Sequence, residues 1–312
     1  MNIRDLYTIP RRLISQGIDS SWAFFIHAKN LILEEWNGNP GSRKDSQSKK
    51  RMVWFAHFDP QHKIDNYVLF YIQKLFELGA DIIFVSSSEN LSSSEVQKIL
   101  PYCLKVVRRK NIGLDFGSWK VAQITQEKLQ LELSLYDELI LANDSVYGPF
   151  QQLSDLFNRM TKRDLDLWAM SSSLEQSYHL QSYFLVFHNR ILKKQAFQKF
   201  WESYRFYHSK HRIIQNYEIG LSRFGKQNNW KLGAYLEAEM IDPGSLNPTL
   251  FAWDQMIEEF SFPFLKTEVL KLNRASSPRL THWKEIISNQ SNYDTNLIAN
   301  HLTRIGVHLK DA

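Results

Sequence analysis

One cysteine stands among the 312 residues of this chain. A single thiol excludes an intrachain disulfide framework and any metal centre built on several cysteines. It fits a reducing compartment. Cys103 lies in the apolar run PYCLKVV, where a buried, inert thiol is expected rather than a nucleophile. No stretch approaches about 18 uninterrupted apolar residues, so no membrane-spanning helix is expected. The first residues, MNIRDLYTIPRRL, carry charges where a secretory leader needs an apolar core, so none is read there. The chain has no G-x-x-x-x-G-K-S/T run, which argues against a P-loop kinase. It has no internal repeat. The expected setting is the cytoplasm, free or peripheral at the inner face of the plasma membrane.

What is present is ordinary in bulk and uneven in detail. Hydrophobic content of 43% and charged content of 23% suit a globular chain with a sizeable core. Aromatics reach 13%, with nine Trp and twenty Phe, enough to line a sugar or lipid site or simply to fill the core. The formal charge is +5, and residues 1–52 hold nine Lys/Arg against five acids, which is most of it. A basic arm suits an anionic surface, a charged partner or plain solvent.

The order of elements is readable. SSWAFFIHAKNLILEEW (20–36) predicts an amphipathic helix, and NGNPGSRKDSQSKK (37–50) a linker with almost nothing to bury. Strands are expected at 51–59, 80–88, 103–109, 137–143 and 165–173, with a helix over 63–79 that ends at Gly79. Ser92 is placed to cap a helix that follows it. An aromatic strand-like run covers 179–192, a helix follows from Gln195, and a helical tail covers 279–312. Strands alternating with helices imply an α/β fold, a mostly parallel central sheet covered on both faces.

Two stretches carry the chemistry. KVVRRKNIGLDFGSWK (105–120) is a basic, glycine-containing turn whose N–H groups and cations suit phosphate. About 30 residues on, YDELILANDSVYGPF ends a strand at Asn143-Asp144-Ser145. Small polar and acidic groups at the carboxyl end of such a strand sit where open α/β sheets bind ligands. Together they suggest a site for an activated, phosphate-bearing substrate; two plain loops would also account for them.

The segments RRKNIGLDFGSWK, LILANDSVYGPF, DLDLWAM, HLQSYFLVF, FQKFW, NYEIGLS and FPFLKTEVLKLN, in that order over roughly residues 51–273, resemble the rhamnan synthesis protein F family of bacterial surface-polysaccharide loci. The pairing of NDSVYGP with HLQSYF is the specific part. The resemblance implies a GT-A-like glycosyltransferase domain over 51–275, between a basic arm and linker (1–50) and a helical tail (276–312). It implies transfer of a deoxyhexose, typically rhamnose from dTDP-rhamnose, to a growing polysaccharide or lipid-linked acceptor. Inversion follows if a β-linked donor yields α-linked rhamnan.

On that reading the donor lies against His57, Asp59, Arg108, Arg109, Asn111, Gly113, Asp115, Asn143, Asp144 and Ser145. Gly113 would let the backbone approach closely, and Arg108 and Arg109 would face phosphate. Many GT-A enzymes hold Mn2+ or Mg2+ with an Asp-x-Asp pair. Here Asp144 is the one carboxylate, and one carboxylate with neutral oxygens makes a weaker site for a hard cation. His179, Gln181 and Tyr183 alternate, so on a strand they would share a face and touch sugar or acceptor. Glu218 is the candidate base, expected at a helix N-terminus where the dipole keeps it ionised. Each also has a plain structural reading as a turn, cap or core residue. Two other classes stay open: a non-catalytic protein of the polysaccharide machinery that keeps the donor fold, and a nucleic-acid binder. Against the latter, the basic residues cluster in one arm and no nucleic-acid motif is present.

Overall fold

A computed structural model describes residues 28–41, 49–241, 247–272 and 279–307. The strands are β1 (Ile32–Asn37), β2 (Arg51–His57), β3 (Ala80–Ser86), β4 (Lys105–Arg109), β5 (Glu138–Asn143), β6 (Val146–Tyr147), β7 (Leu167–Ser173), β8 (His179–Leu180), β9 (Phe184–His188), β10 (Leu232–Leu236) and β11 (Leu265–Lys266). The main sheet runs β1-β4-β3-β2-β5-β9-β7-β10, with β8 paired to β7 off that path. Strands β4, β3, β2 and β5 are mutually parallel; β9 opposes both β5 and β7, and β10 is parallel to β7. This is the α/β fold with a mostly parallel central sheet and flanking helices that the alternation of elements predicts.

The central strands are buried from end to end because both faces are covered. Alternate residues divide between two cores. Val53, Phe55, Ile82, Phe84 and Ile140 face one side, with helix Asn66–Glu77 and the helices near the carboxyl end. Met52, Trp54, Ile83, Val85 and Leu141 face the other, with helices Leu114–Lys128, Gln195–Glu202 and Ile219–Gln227. The chain winds outward from β2 through β3 to β4. Helix Leu114–Lys128 then carries it back across the second face to β5, on the far side of β2. The direction of winding therefore reverses between β2 and β5. Open sheets of this kind leave a crevice at such a point, outside the carboxyl ends of the strands.

One expected element changes type. Ile32–Asn37 is not helix but edge strand, antiparallel to β4 with Trp36 opposite Val106. The part of the expected helix before residue 28 lies outside the described residues, as do 42–48 of the linker. Lys49 and Arg51, counted in the basic arm, both meet Glu138, with Arg51 Nε 2.7 Å from its Oε2. The expected cap at Ser92 is present: its hydroxyl accepts from the Glu95 N–H. The tail forms helices Trp283–Gln290 and Asn296–Arg304. Among the described residues no helix is long and apolar enough to cross a membrane.

Candidate functional site

The ends of β2 and β5 are tied together. The Phe58 N–H donates to Asp144 Oδ2 at 2.9 Å, and the Tyr67 hydroxyl donates to the Asp144 carbonyl at 3.0 Å. Burial pushes the Asp144 carboxyl well above the usual carboxylate range, and the nearby Asp115 charge adds to the shift. Asn143 orders the turn. Its Oδ1 accepts from the Ser145 N–H (3.1 Å) and hydroxyl (2.6 Å), while its Nδ2 donates to Asp115 Oδ2 at 2.9 Å. Asp115, in the first turn of helix Leu114–Lys128, is raised by burial to about 6 against the pull of Arg109. Burial thus raises the pKa of two carboxyls near the end of β5, a pattern common where chemistry is done.

His57 is fully buried, with Nδ1 2.9 Å from Ser86 Oγ and Nε2 3.1 Å from the Lys63 carbonyl; burial lowers it to about 4 and keeps it neutral. Asp59 takes N–H groups from Gln61 and Lys63 and the guanidinium of Arg304, 2.5 Å from its Oδ2. Burial opposes its charge, but those bonds outweigh it and hold the carboxyl below the usual range. Ser88, at the end of β3, accepts from the Asp59 N–H and donates to its carbonyl.

The two arginines expected to face phosphate do other work. Arg108 pairs with Glu34 on β1 at 2.7 Å and donates to the Leu91 carbonyl. Arg109 is wholly buried, and its guanidinium donates to the carbonyls of Lys110, Ile112 and Leu114 and twice to Ser118 Oγ. Those bonds use its five N–H donors, so it shapes the 110–114 turn and has none to spare for phosphate. Gly113 takes φ +87°, and a Cβ there would lie 2.6 Å from Tyr204 Oη and 2.9 Å from the Phe206 ring. Its lack of a side chain serves this packing. Asn111 is exposed, with its N–H on Glu89 Oε1.

The charges of Lys210 and Glu218, which act on Asp115, come from a helical segment. Lys210–Ile213 and Ile219–Gln227 are joined by a π-helical turn, Ile214–Glu218. Glu218 therefore ends a bulge inside a helix instead of starting one, and the dipole argument for its charge does not apply. Its Oε1 accepts from the Ser182 N–H at 3.0 Å; its other oxygen accepts nothing among the described residues. Single π-turns recur at functional sites because they push one side chain out of the helical register.

The stretch 179–183 is not one strand: β8 ends at Leu180 and the chain turns before β9. His179 Nδ1 meets the Ser177 carbonyl at 2.8 Å. Gln181 and Tyr183 share Ser171, each at 2.6 Å from its hydroxyl, and Gln181 also contacts Thr249 and Asn247. These three side chains are engaged with protein, and Gln181 and Tyr183 brace the segment that presents the Ser182 N–H.

Three residues that sequence reading passed over complete the crevice. Lys266 comes from the end of β11, Lys271 from the short helix that follows it, and Arg304 from the last helix. Arg304 bridges Asp59 and Asp65. A signal for the lysines was available, since FPFLKTEVLKLN places charge inside an apolar run.

The residues present suit a divalent cation poorly. Asp59, Asp65 and His301 are close enough together to hold one, but the Arg304 guanidinium already sits among them. At the end of β5 Asp144 is flanked by the neutral Asn143 and Ser145, whereas a hard cation takes several anionic or carbonyl oxygens.

The family model for rhamnan synthesis protein F matches residues 82–310. The chain belongs to that family. Among curated relatives, the family member is 28% identical over 156 residues to the uncharacterised protein y4gN of Sinorhizobium fredii, covering 49% of this chain and 40% of that protein. It is 25% identical over 232 residues to the virulence protein VirA of Vibrio anguillarum, covering 64% of this chain and 74% of that one. The chain thus spans about two fifths of the first relative and three quarters of the second. Similar solved structures include a cytidylyltransferase from Leptospira borgpetersenii (TM-score 0.38, 10% identity, 80% of this chain and 100% of that chain). Another is the glycosyltransferase GlyE of Streptococcus pneumoniae (0.36, 14%, 83% and 64%). At such scores these likenesses carry no weight for function.

Proposed function

We propose that the protein transfers a sugar from a nucleotide-diphosphate donor to a growing cell-surface polysaccharide or lipid-linked saccharide. The donor is a deoxyhexose nucleotide, dTDP-rhamnose first among candidates. The observation that carries the reading is the carboxyl cluster at the β2/β5 reversal, where the charge of Asp115 acts on Asp144 and that of Glu218 acts on Asp115. In this reading Asp115, Asn143, Asp144 and Ser145 hold sugar and ribose hydroxyls, and Glu218 is the base.

The step balances simply. Glu218 takes the proton of the acceptor hydroxyl as its oxygen attacks the anomeric carbon. The bond from that carbon to the donor phosphate oxygen breaks, and its electron pair leaves with the nucleoside diphosphate. Attack from the face opposite the leaving group inverts the centre. The Ser182 N–H fixes one Glu218 oxygen, which leaves the other to receive the proton.

The test is a thermal-shift screen of dTDP-rhamnose, other nucleotide sugars and free nucleotides, followed by transfer of labelled sugar to a membrane-extracted acceptor. A donor at about 100 times its dissociation constant raises stability by about 2.7 kcal/mol. A shift with one donor class and transfer to acceptor support the reading. Binding without any transfer favours the non-catalytic reading, which the lone Asp144 motivates. The basic arm is proposed to attach the protein to anionic membrane.

A further inference from the structure

The donor proposed above carries at least two negative charges, and the crevice wall offers carboxyls. Something cationic must meet the diphosphate. The arginines nearby are spoken for: Arg108 by Glu34, Arg109 by its own turn, Arg304 by Asp59 and Asp65.

Two lysines of the stretch LKTEVLK (265–271) are not. Strand β11 pairs with β6 so that Lys266 stands opposite Val146, and the Thr267 N–H donates to the Ser145 carbonyl at 2.8 Å. Lys266 is thereby registered on the strand that leaves Asn143-Asp144-Ser145. Its ammonium lies 5.4 Å from the centre of the Tyr183 ring, and the charge it feels most is that of Glu218. Lys271 ends helix Thr267–Lys271, and the charges it feels most are Asp144, Asp59 and Asp65. Among the described residues neither ammonium has a hydrogen bond or a carboxylate at ion-pair distance. Both are partly buried, and burial pushes both below the usual lysine range. An unpaired, half-buried cation is costly to hold unless an anion arrives to match it.

We propose that Lys266 and Lys271 bind the donor's diphosphate and stabilise the departing nucleoside diphosphate in place of a divalent metal. The proposal rests on the glycosyltransferase reading above. As the bond from the anomeric carbon breaks, the electron pair settles on the phosphate oxygen facing the two ammonium groups. Preorganised cations at the site of developing charge are the usual means of lowering such a barrier.

The experiment is calorimetric titration of the full chain with dTDP, UDP and GDP, in EDTA and in Mn2+. Lys266→Met, Lys271→Met, the double variant and the two Lys→Arg variants are titrated alongside. Wild type should bind one diphosphate in EDTA. Each Met variant should lose tenfold or more, the double variant a hundredfold or more, and the Arg variants under threefold. Affinity for the matching nucleoside without phosphate should hold in all of them. Should the Met variants unfold, wild type alone decides, since diphosphate affinity must fall with added salt more steeply than monophosphate affinity. Diphosphate binding that needs Mn2+ and ignores the lysines overturns this proposal and leaves the transferase reading standing. Binding of no nucleotide at all overturns both.

Discussion

At the scale of single residues, the carboxyl groups divide by task. Glu218→Gln should slow transfer about 10²–10⁴-fold while leaving nucleotide affinity within twofold, measured by labelled-sugar transfer and by titration. Asp115 has a folded pKa raised to about 6 by burial, so the folded chain holds its proton longer than the unfolded chain does. Its contribution to stability therefore falls as pH rises from about 4 to about 6 and is flat beyond. Asp115→Asn should be more stable than wild type by about 1–3 kcal/mol above pH 6 and equal to it near pH 4, read from denaturant melts across pH. A gain that did not grow with pH would refute the assignment. Gly113→Ala should cost about 1–3 kcal/mol, because it combines a left-handed backbone with two close contacts. The placement of Asn143-Asp144-Ser145 at the end of β5 was legible, because an apolar strand running into turn-forming side chains shows in the immediate sequence. The site was illegible at Arg108 and Arg109. Adjacent residues on a strand point to opposite faces; one meets the edge strand and the other is drawn under its own turn, so neither reaches the crevice.

At the scale of elements, the central strands and the helix Asn66–Glu77 read correctly because their burial is continuous or periodic. Strand β1 did not. ILEEWN is a short edge strand with partial exposure on both faces, so its pattern lacks the strict alternation that marks a half-buried strand. The π-turn that ends at Glu218 leaves no sequence signal, since it depends on one extra residue within an otherwise helical run. The last helix is a further element whose role no local pattern could reveal. Arg304→Met should lower stability by about 1–3 kcal/mol, discounted for partial exposure of the guanidinium. Asp59 is held below the usual range, so its contribution is present above about pH 4 and lost as pH falls through the depressed value. The deficit of Arg304→Met should accordingly shrink in acid. Calorimetric melts at pH 7 and pH 3 check it.

At the scale of the whole molecule, the fold is a sheet between two cores, with its crevice where the winding reverses. That reversal was implicit in the order of elements but not in any one of them; only the pairing of β2 with both β3 and β5 places it. The basic arm does more than its composition suggests. Deleting residues 1–50 should reduce sedimentation with anionic vesicles. Deleting 1–50 should also lower the melting temperature, because it strips β1 from β4 and uncovers a sheet edge. Equal vesicle binding by wild type and that deletion would end the proposed membrane role of the arm.

The guanidinium of Arg304 has a consequence in time as well as space. Asp59 and Asp65 belong to the loop after β2, and Phe58 in that loop presents its N–H to Asp144. The counter-charge for those two acids is made some 240 residues later. A ribosome therefore releases most of the polypeptide before the crevice can close around its acids. A nascent chain halted short of residue 304 should have a folded sheet but a loop after β2 whose two acids still lack their counter-charge.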